Sequence, residues 1–293
     1  MSADYPRVLD ALGKGPPVAV RRVGGGCIAD ARIATFEDGS SVFVKTVAGV
    51  PDMFEREAEG LEALAEAGAL RVPGVLAVDA NGLVLEFVAQ GSPKPGFFQL
   101  FGRRFARLHR HAGPQCGFPH DNYIGATPQV NRPLGGVFGA GVNDGSDWPG
   151  FFIDRRLRYQ ARLAEKRGHG AELRRLLDRC EARLYELLDA AIEPPCVLHG
   201  DLWSGNFMID ETGEPCLIDP AVYYGHREAD LAMTRLFGGF DAAFYRAYDE
   251  EFPLVEGHEE RLPAYQLYHL LNHLNLFGSG YYGQCERILR RYQ

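Results

Sequence analysis

Apolar residues alternate with polar ones along the first third of the chain and recur at a helical period through most of the rest. The pattern therefore predicts an α+β protein with its strands gathered early. After a short leader of helical character, Val18 to Val23, Cys27 to Phe36 and Val42 to Val47 read as strands, the last two joined by an Asp38-Gly39 hairpin turn. Val75 to Asp79 and Leu83 to Val88 form a second hairpin around Asn81-Gly82. Between the hairpins lies a helix that Asp52 can cap, with Glu55 reaching back and Gly68 ending it. On that helix Phe54, Ala58, Leu61, Leu64 and Ala65 share one arc, and Glu55, Glu59, Glu62 and Glu66 share the opposite one. Helices are expected at about Phe97 to His111, Pro149 to Arg167, Ala171 to Ile192, Glu228 to Phe237, Phe240 to Glu250, Arg261 to Phe277 and Tyr281 to Tyr292. The stretch 112 to 150 lacks periodicity, but Asp121-Asn-Tyr-Ile-Gly, Pro128-Gln and Trp148 mark it as an ordered, functional loop.

One polar residue breaks the pattern of the first helix. Glu57 falls on the apolar arc, where a carboxylate is costly unless a cation meets it, and Lys45 on the preceding strand is the nearest candidate. Polar groups are densest in Val197 to Pro220. Two short apolar runs, Cys196 to Leu198 and Phe207 to Ile209, enclose a loop with His199, Asp201 and Asn206, and a third run delivers Asp219. This spacing suits phosphoryl transfer, in which a protein places a hydroxyl, a metal and a triphosphate in line and does little covalent work. Asp201 can take the proton of the attacking hydroxyl, while Asn206 and Asp219 offer oxygens to Mg2+. Upstream, Gly24, Gly25 and Gly26 let backbone amides approach phosphate oxygens without a Cβ in the way. Their sequel, a Val-x-Val-Lys strand ending at Lys45, strengthens that reading.

Composition narrows the partners. The 293 residues are 46% hydrophobic, enough for a large core and two lobes. No apolar stretch approaches a membrane span, and Asp4, Pro6 and Asp10 stand where a signal peptide would be basic and then apolar, so a cytoplasmic protein is expected. A net charge of −8 argues against nucleic acid and anionic membrane, and it leaves a bound triphosphate to be neutralised locally by lysine and metal. The six cysteines form neither a disulfide framework nor a zinc spacing. Arg103, Arg104, Arg107 and Arg110 read as a solvated helix face. His269 and His273, one helical turn apart, read as packing or capping residues, and His226 as a structural turn residue.

His199-Gly-Asp resembles the small-molecule kinases of the protein-kinase-like superfamily, which includes aminoglycoside and choline kinases. The longer His199-Gly-Asp-Leu-Trp-Ser-Gly-Asn206, with Ile218-Asp-Pro-Ala and Tyr224-Gly-His-Arg-Glu-Ala-Asp-Leu-Ala, is similar to the fructosamine-3-kinase, or ketosamine-3-kinase, family. So are Asp121-Asn-Tyr-Ile-Gly, Trp148-x-x-Phe-Phe and Tyr265 to Gly278. The resemblance implies a two-lobed kinase-like fold: residues 1–88 as a nucleotide-binding lobe with a five-stranded antiparallel sheet and one helix, 89–96 as hinge, and 97–293 as a mostly helical catalytic and substrate lobe. It implies ATP and Mg2+, a Lys45–Glu57 pair that aims the lysine at phosphates, backbone groups of Glu86, Phe87 and Val88 at the adenine edge, and Asp230 bracing the catalytic loop alongside His199. The activity implied is phosphorylation of the 3-hydroxyl of a ketosamine, a fructosamine or ribulosamine, in the service of deglycation.

The residues themselves support phosphotransfer more firmly than they support a ketosamine. Trp203 offers an aromatic face to a sugar ring or a cationic amine. A kinase of another small hydroxyl compound (aminoglycoside, choline or homoserine) and a non-catalytic nucleotide-binding protein are the alternatives, and retention of Lys45, Glu57, Asp201, Asn206 and Asp219 speaks against the second. Cys27, directly after the glycines, is a redox candidate, because amides that favour phosphate also favour a thiolate. The chain is then a monomer or, when oxidised, a Cys27-linked dimer.

Overall fold

A computed structural model of the chain describes residues 6–24, 30–46, 52–134 and 147–293. Gly25, Gly26 and Cys27 lie outside the described residues, so the expectations placed on them do too. Five strands, β1 (Ala19–Val23), β2 (Asp30–Thr35), β3 (Ser41–Thr46), β4 (Val75–Asp79) and β5 (Gly82–Glu86), form one antiparallel sheet in the order β1-β2-β3-β5-β4. Its centre is Val42, Val44 and Val84, which bury against Ala34, Phe36 and, from a leading 3₁₀ turn, Val8 and Leu9. The other face receives helix α1 (Met53–Glu66) through Phe54, Ala58 and Leu61 against Leu83 and Leu85. Register places Lys45 opposite Leu83 on the central strand, so its side chain emerges beside that helix.

The remaining chain is mostly helical around one large core. Helices α2 (Phe97–Leu108), α3 (Trp148–Phe151), α4 (Tyr159–Lys166), α5 (Ala171–Asp189), α6 (Glu228–Leu236), α7 (Ala242–Glu251), α8 (His258–Phe277) and α9 (Tyr282–Arg291) are joined by three two-stranded ladders. These pair β6 (Asn122–Ile124) with β7 (Thr127–Gln129), β8 (Cys196–Leu198) with β11 (Tyr223–Gly225), and β9 (Phe207–Ile209) with β10 (Pro215–Leu217). No described helix is long and apolar enough to cross a membrane.

Several local expectations need correction. Asp52 makes no side-chain cap, because its Oδ1 instead accepts from Tyr123 Oη at 2.6 Å. The helix expected over 149–167 is broken by a π-helical stretch at Phe152–Arg158, which turns Arg156 fully inward over the rings of Tyr223 and Phe151. Helix α2 stops at Leu108, where the His109 ring packs on Phe105 and faces Asp230. Its arginines are a solvated face that also holds ion pairs: Arg104 with Glu214 at 2.7 Å and Arg107 with Glu251 at 3.1 Å. The five described cysteines are all buried.

Candidate active site

The β8–β9 loop takes its shape from one glycine and one buried aspartate. Gly200 has φ 82°, and a Cβ there would come within 2.0 Å of Ala221 O, so only glycine fits between His199 and Asp201. From the start of α6, Asp230 Oδ2 accepts from His199 N at 2.7 Å and Oδ1 accepts from Gly200 N at 2.8 Å. His109 Nε2 donates to the same carboxylate at 3.3 Å. Burial pushes the Asp230 pKa up, but His109, His199 and the Gly200 amide outweigh it, and the carboxyl ends below its ordinary range. Asp230 thus ties the backbone of His199 and Gly200 to the start of α6. His199 is buried in its neutral form, Nε2 donating to Ile218 O at 3.0 Å and Nδ1 accepting from Asp201 N at 3.3 Å.

Asp201 sits at the mouth of this loop with 19% of its side chain exposed. Burial drives its pKa well above the usual carboxylate value, the nearby Asp219 and Asp230 push the same way, and Asn206 only partly opposes them. Asn206 Nδ2 donates to Asp201 O at 2.8 Å and to Asp201 Oδ2 at 3.2 Å, which leaves its amide oxygen as the group to offer a cation. Asp219 is the only described non-glycine residue at positive φ, 54°. Such backbone clusters where a site over-determines it. Here the constraint comes from both sides, since Ile218 N donates to Asn206 O and Ala221 N to His199 O.

Lys45 joins the two halves of the site. Its ammonium donates to Glu57 Oε1 at 2.5 Å and also to Asp219 Oδ1, so the position of Glu57 on the apolar arc is explained by a buried ion pair. Burial lowers the lysine pKa, but the two carboxylates more than reverse this and hold it protonated. Glu57 is raised, first by burial and further by Asp219, against the pull of Lys45. Two carboxylates thus share one ammonium. The exposed Asp219 carboxylate and the Asn206 amide oxygen are hard oxygen donors of the kind Mg2+ prefers, so the residues present fit that ion.

Around this centre the expected residues distribute unevenly. Gly24 is exposed at the end of β1, with nothing within 4 Å of where a Cβ would stand. Glu86 N donates to Gly74 O at 2.8 Å and its carboxylate receives Arg71 at 2.7 Å, while Phe87 after it is exposed and Val88 is buried. Trp203 folds over Gly205, where a Cβ would meet its ring at 2.4 Å, and stands edge-on to Phe237 while 37% exposed. His226 Nε2 donates to Ala191 O, a structural role, and His273 Nδ1 donates to His269 O. His269 differs from expectation: its Nδ1 is buried without a partner, 3.9 Å from Asp201 Oδ1.

Two supports escape sequence reasoning. Arg71 ties Glu86 to Asp210 and Glu211 on the β9–β10 turn, at 2.7 to 2.9 Å. The β6–β7 hairpin braces the segment after Asp219: Asn122 Nδ2 donates to Val222 O at 2.8 Å and Gln129 Nε2 to Ala221 O at 3.0 Å. The motif residues of this hairpin were visible in sequence, but their partners a hundred positions away were not.

A five-stranded antiparallel sheet with one helix, set over a helical unit with a His-Gly-Asp loop, defines a phosphotransferase of the protein-kinase-like class. Residues 8–293 match the fructosamine kinase family, and the chain belongs to it. It is 39% identical over 281 residues to the chloroplastic protein-ribulosamine 3-kinase of Oryza sativa subsp. japonica, covering 93% of this chain and 78% of that one. It is 34% identical over 310 residues to the ketosamine-3-kinase of Mus musculus, covering 95% and 96%. A crystal structure from Thermobifida fusca, assigned as a fructosamine-3-kinase, superposes with a TM-score of 0.87 at 32% identity over 100% of this chain and 99% of that one.

Proposed function

We propose that the protein phosphorylates the 3-hydroxyl of a ketosamine, a fructosamine or ribulosamine, with ATP and Mg2+. The carrying observation is the convergence of the Asp201 carboxylate, the Asn206 amide and the Lys45-paired Asp219 in a chain of this family. Lys45, oriented by Glu57, meets phosphate oxygens, and Asn206 with Asp219 holds the metal, whose chemistry is to neutralise charge on the phosphates. Asp201, with its raised proton affinity, receives the hydroxyl proton as the hydroxyl oxygen bonds the γ-phosphorus and the bond to the β-phosphate oxygen breaks. ADP leaves, and the sugar phosphate that remains is set up for spontaneous breakdown. Trp203 meets the sugar ring or amine. We assign residues 1–88 to the nucleotide lobe, 89–96 to the hinge, with the Phe87 and Val88 backbone at the adenine, and 97–293 to the catalytic lobe. Gly24, Gly25 and Gly26 cover the phosphates. The test is incubation with ATP, Mg2+ and a panel of ribulosamine, fructosamine, choline and aminoglycosides, with NMR of the product. A phosphate on O3 of a ketosamine is the expected result, and phosphorylation of only choline or an aminoglycoside would overturn the reading. In the same assay Asp201→Asn should keep nucleotide binding and lose roughly 10² to 10⁴ in turnover. We further propose a cytoplasmic location and oxidation of Cys27, in one molecule or between two, as a reversible brake on turnover.

A further inference from the structure

His269 is a buried polar group that the phosphotransfer reading leaves without a task. It projects from α8, is 3% exposed, and its Nδ1 has no hydrogen-bond partner. Folded proteins seldom leave such a nitrogen unpaired, and the exceptions concentrate at working sites. The atom it faces is Asp201 Oδ1, 3.9 Å away, beyond hydrogen-bond reach. The opposite oxygen of that carboxylate is already held, by Asn206 Nδ2 at 3.2 Å.

The other groups around the imidazole leave it neutral. Tyr268 packs at 5.0 Å between ring centroids, and His273 donates to the His269 carbonyl. Burial first, then the charges of His273 and Arg156, outweigh Asp230 and push the His269 pKa down to about 3. A neutral ring protonated at Nδ1 is a donor that carries no charge into the site.

We infer that His269 is the positioning residue of the catalytic base: in the reactive complex its Nδ1–H hydrogen-bonds Asp201 Oδ1, so that the carboxylate is fixed from both ends as the acceptor hydroxyl arrives. The closure required is about 1 Å, and catalytic hydrogen bonds that are long in the free enzyme commonly tighten when substrate binds. The partly exposed Asp201 side chain can supply it by rotation. This inference rests on the reading of Asp201 as the base.

Volume and hydrogen bonding are separable at this position. His269→Phe fills the space and removes the donor; His269→Asn keeps a donor at the δ position and leaves a void. With ATP and a ketosamine, His269→Phe should keep its Tm and lose roughly 10- to 100-fold in kcat, the ATP KM staying within about twofold. His269→Asn should lose Tm yet keep kcat within about threefold of wild type. His269→Leu repeats the donor-free arm if the phenylalanine variant does not fold. Activity that tracks Tm across the series, or a normal kcat in the donor-free variants, overturns the inference. Asp201→Asn is run alongside: near-normal turnover there would remove the base assignment itself, whereas an inactive Asp201→Asn beside a fully active His269→Phe would remove only the role of His269.

Discussion

Asp230→Ala should unfold the catalytic loop before it affects anything else. The carboxylate is 1% exposed and accepts from two backbone amides, His199 N at 2.7 Å and Gly200 N at 2.8 Å. Alanine leaves both donors buried and unpaired. Hydrogen bonds to a charged group contribute roughly 1.5 to 3 kcal/mol each, so the loss comes to about 3 to 6 kcal/mol. That is a large share of the roughly 5 to 15 kcal/mol that holds a typical domain folded. A fall in Tm on the order of 10 °C should be seen by calorimetry, with turnover lost in parallel. Asp230→Asn, which retains one acceptor oxygen, should fall between. The pH dependence has a definite sign: because the folded carboxyl lies below its ordinary value, its contribution is complete above the ordinary carboxylate range near pH 4 and is lost only as pH falls below that range through the lower folded value. Acid titration of stability in Asp230→Asn should therefore be flatter than in wild type. A Tm for Asp230→Ala within about 2 °C of wild type would show that the amides find other partners and refute the brace.

Three further outcomes are expected. Glu57→Ala should raise the KM for ATP about tenfold by freeing Lys45 toward Asp219, with Glu57→Gln milder; Glu59→Ala, whose partners Arg56 and His120 lie near the surface, should change stability by less than about 0.5 kcal/mol, and equal damage from both alanines would undo the assignment of the helix faces. Asp219→Asn should shift the Mg2+ activation curve to higher concentration, and a titration that superimposes on wild type counts against a ligand role. Peroxide should slow wild type reversibly, with recovery in dithiothreitol, but spare Cys27→Ala; equal inactivation of the two would remove Cys27 from a redox role.

By itself the sequence determined the five strands and single helix of the first part, most of the later helices, and the identity of the polar residues that meet at the site, but not the β6–β7 hairpin or β11. These were legible because they are local: period-two alternation, Asp38-Gly39 and Asn81-Gly82 turns, and a loop in which Asp201 and Asn206 stand five positions apart. Even the Lys45–Glu57 pair was readable, because a carboxylate on an apolar arc demands a cation. Tertiary structure decided what depends on distant partners. Asp52 abandons its capping role because Tyr123, 71 positions on, offers a better donor. The π-helical break at Phe152–Arg158 follows from the burial of Arg156 among aromatic rings, which no periodicity announces. His269 looks like any packing histidine along α8. Only the fold sets its unpaired nitrogen against Asp201, because the distance between residues 68 positions apart is fixed by how α8 packs on the catalytic loop and not by any local pattern.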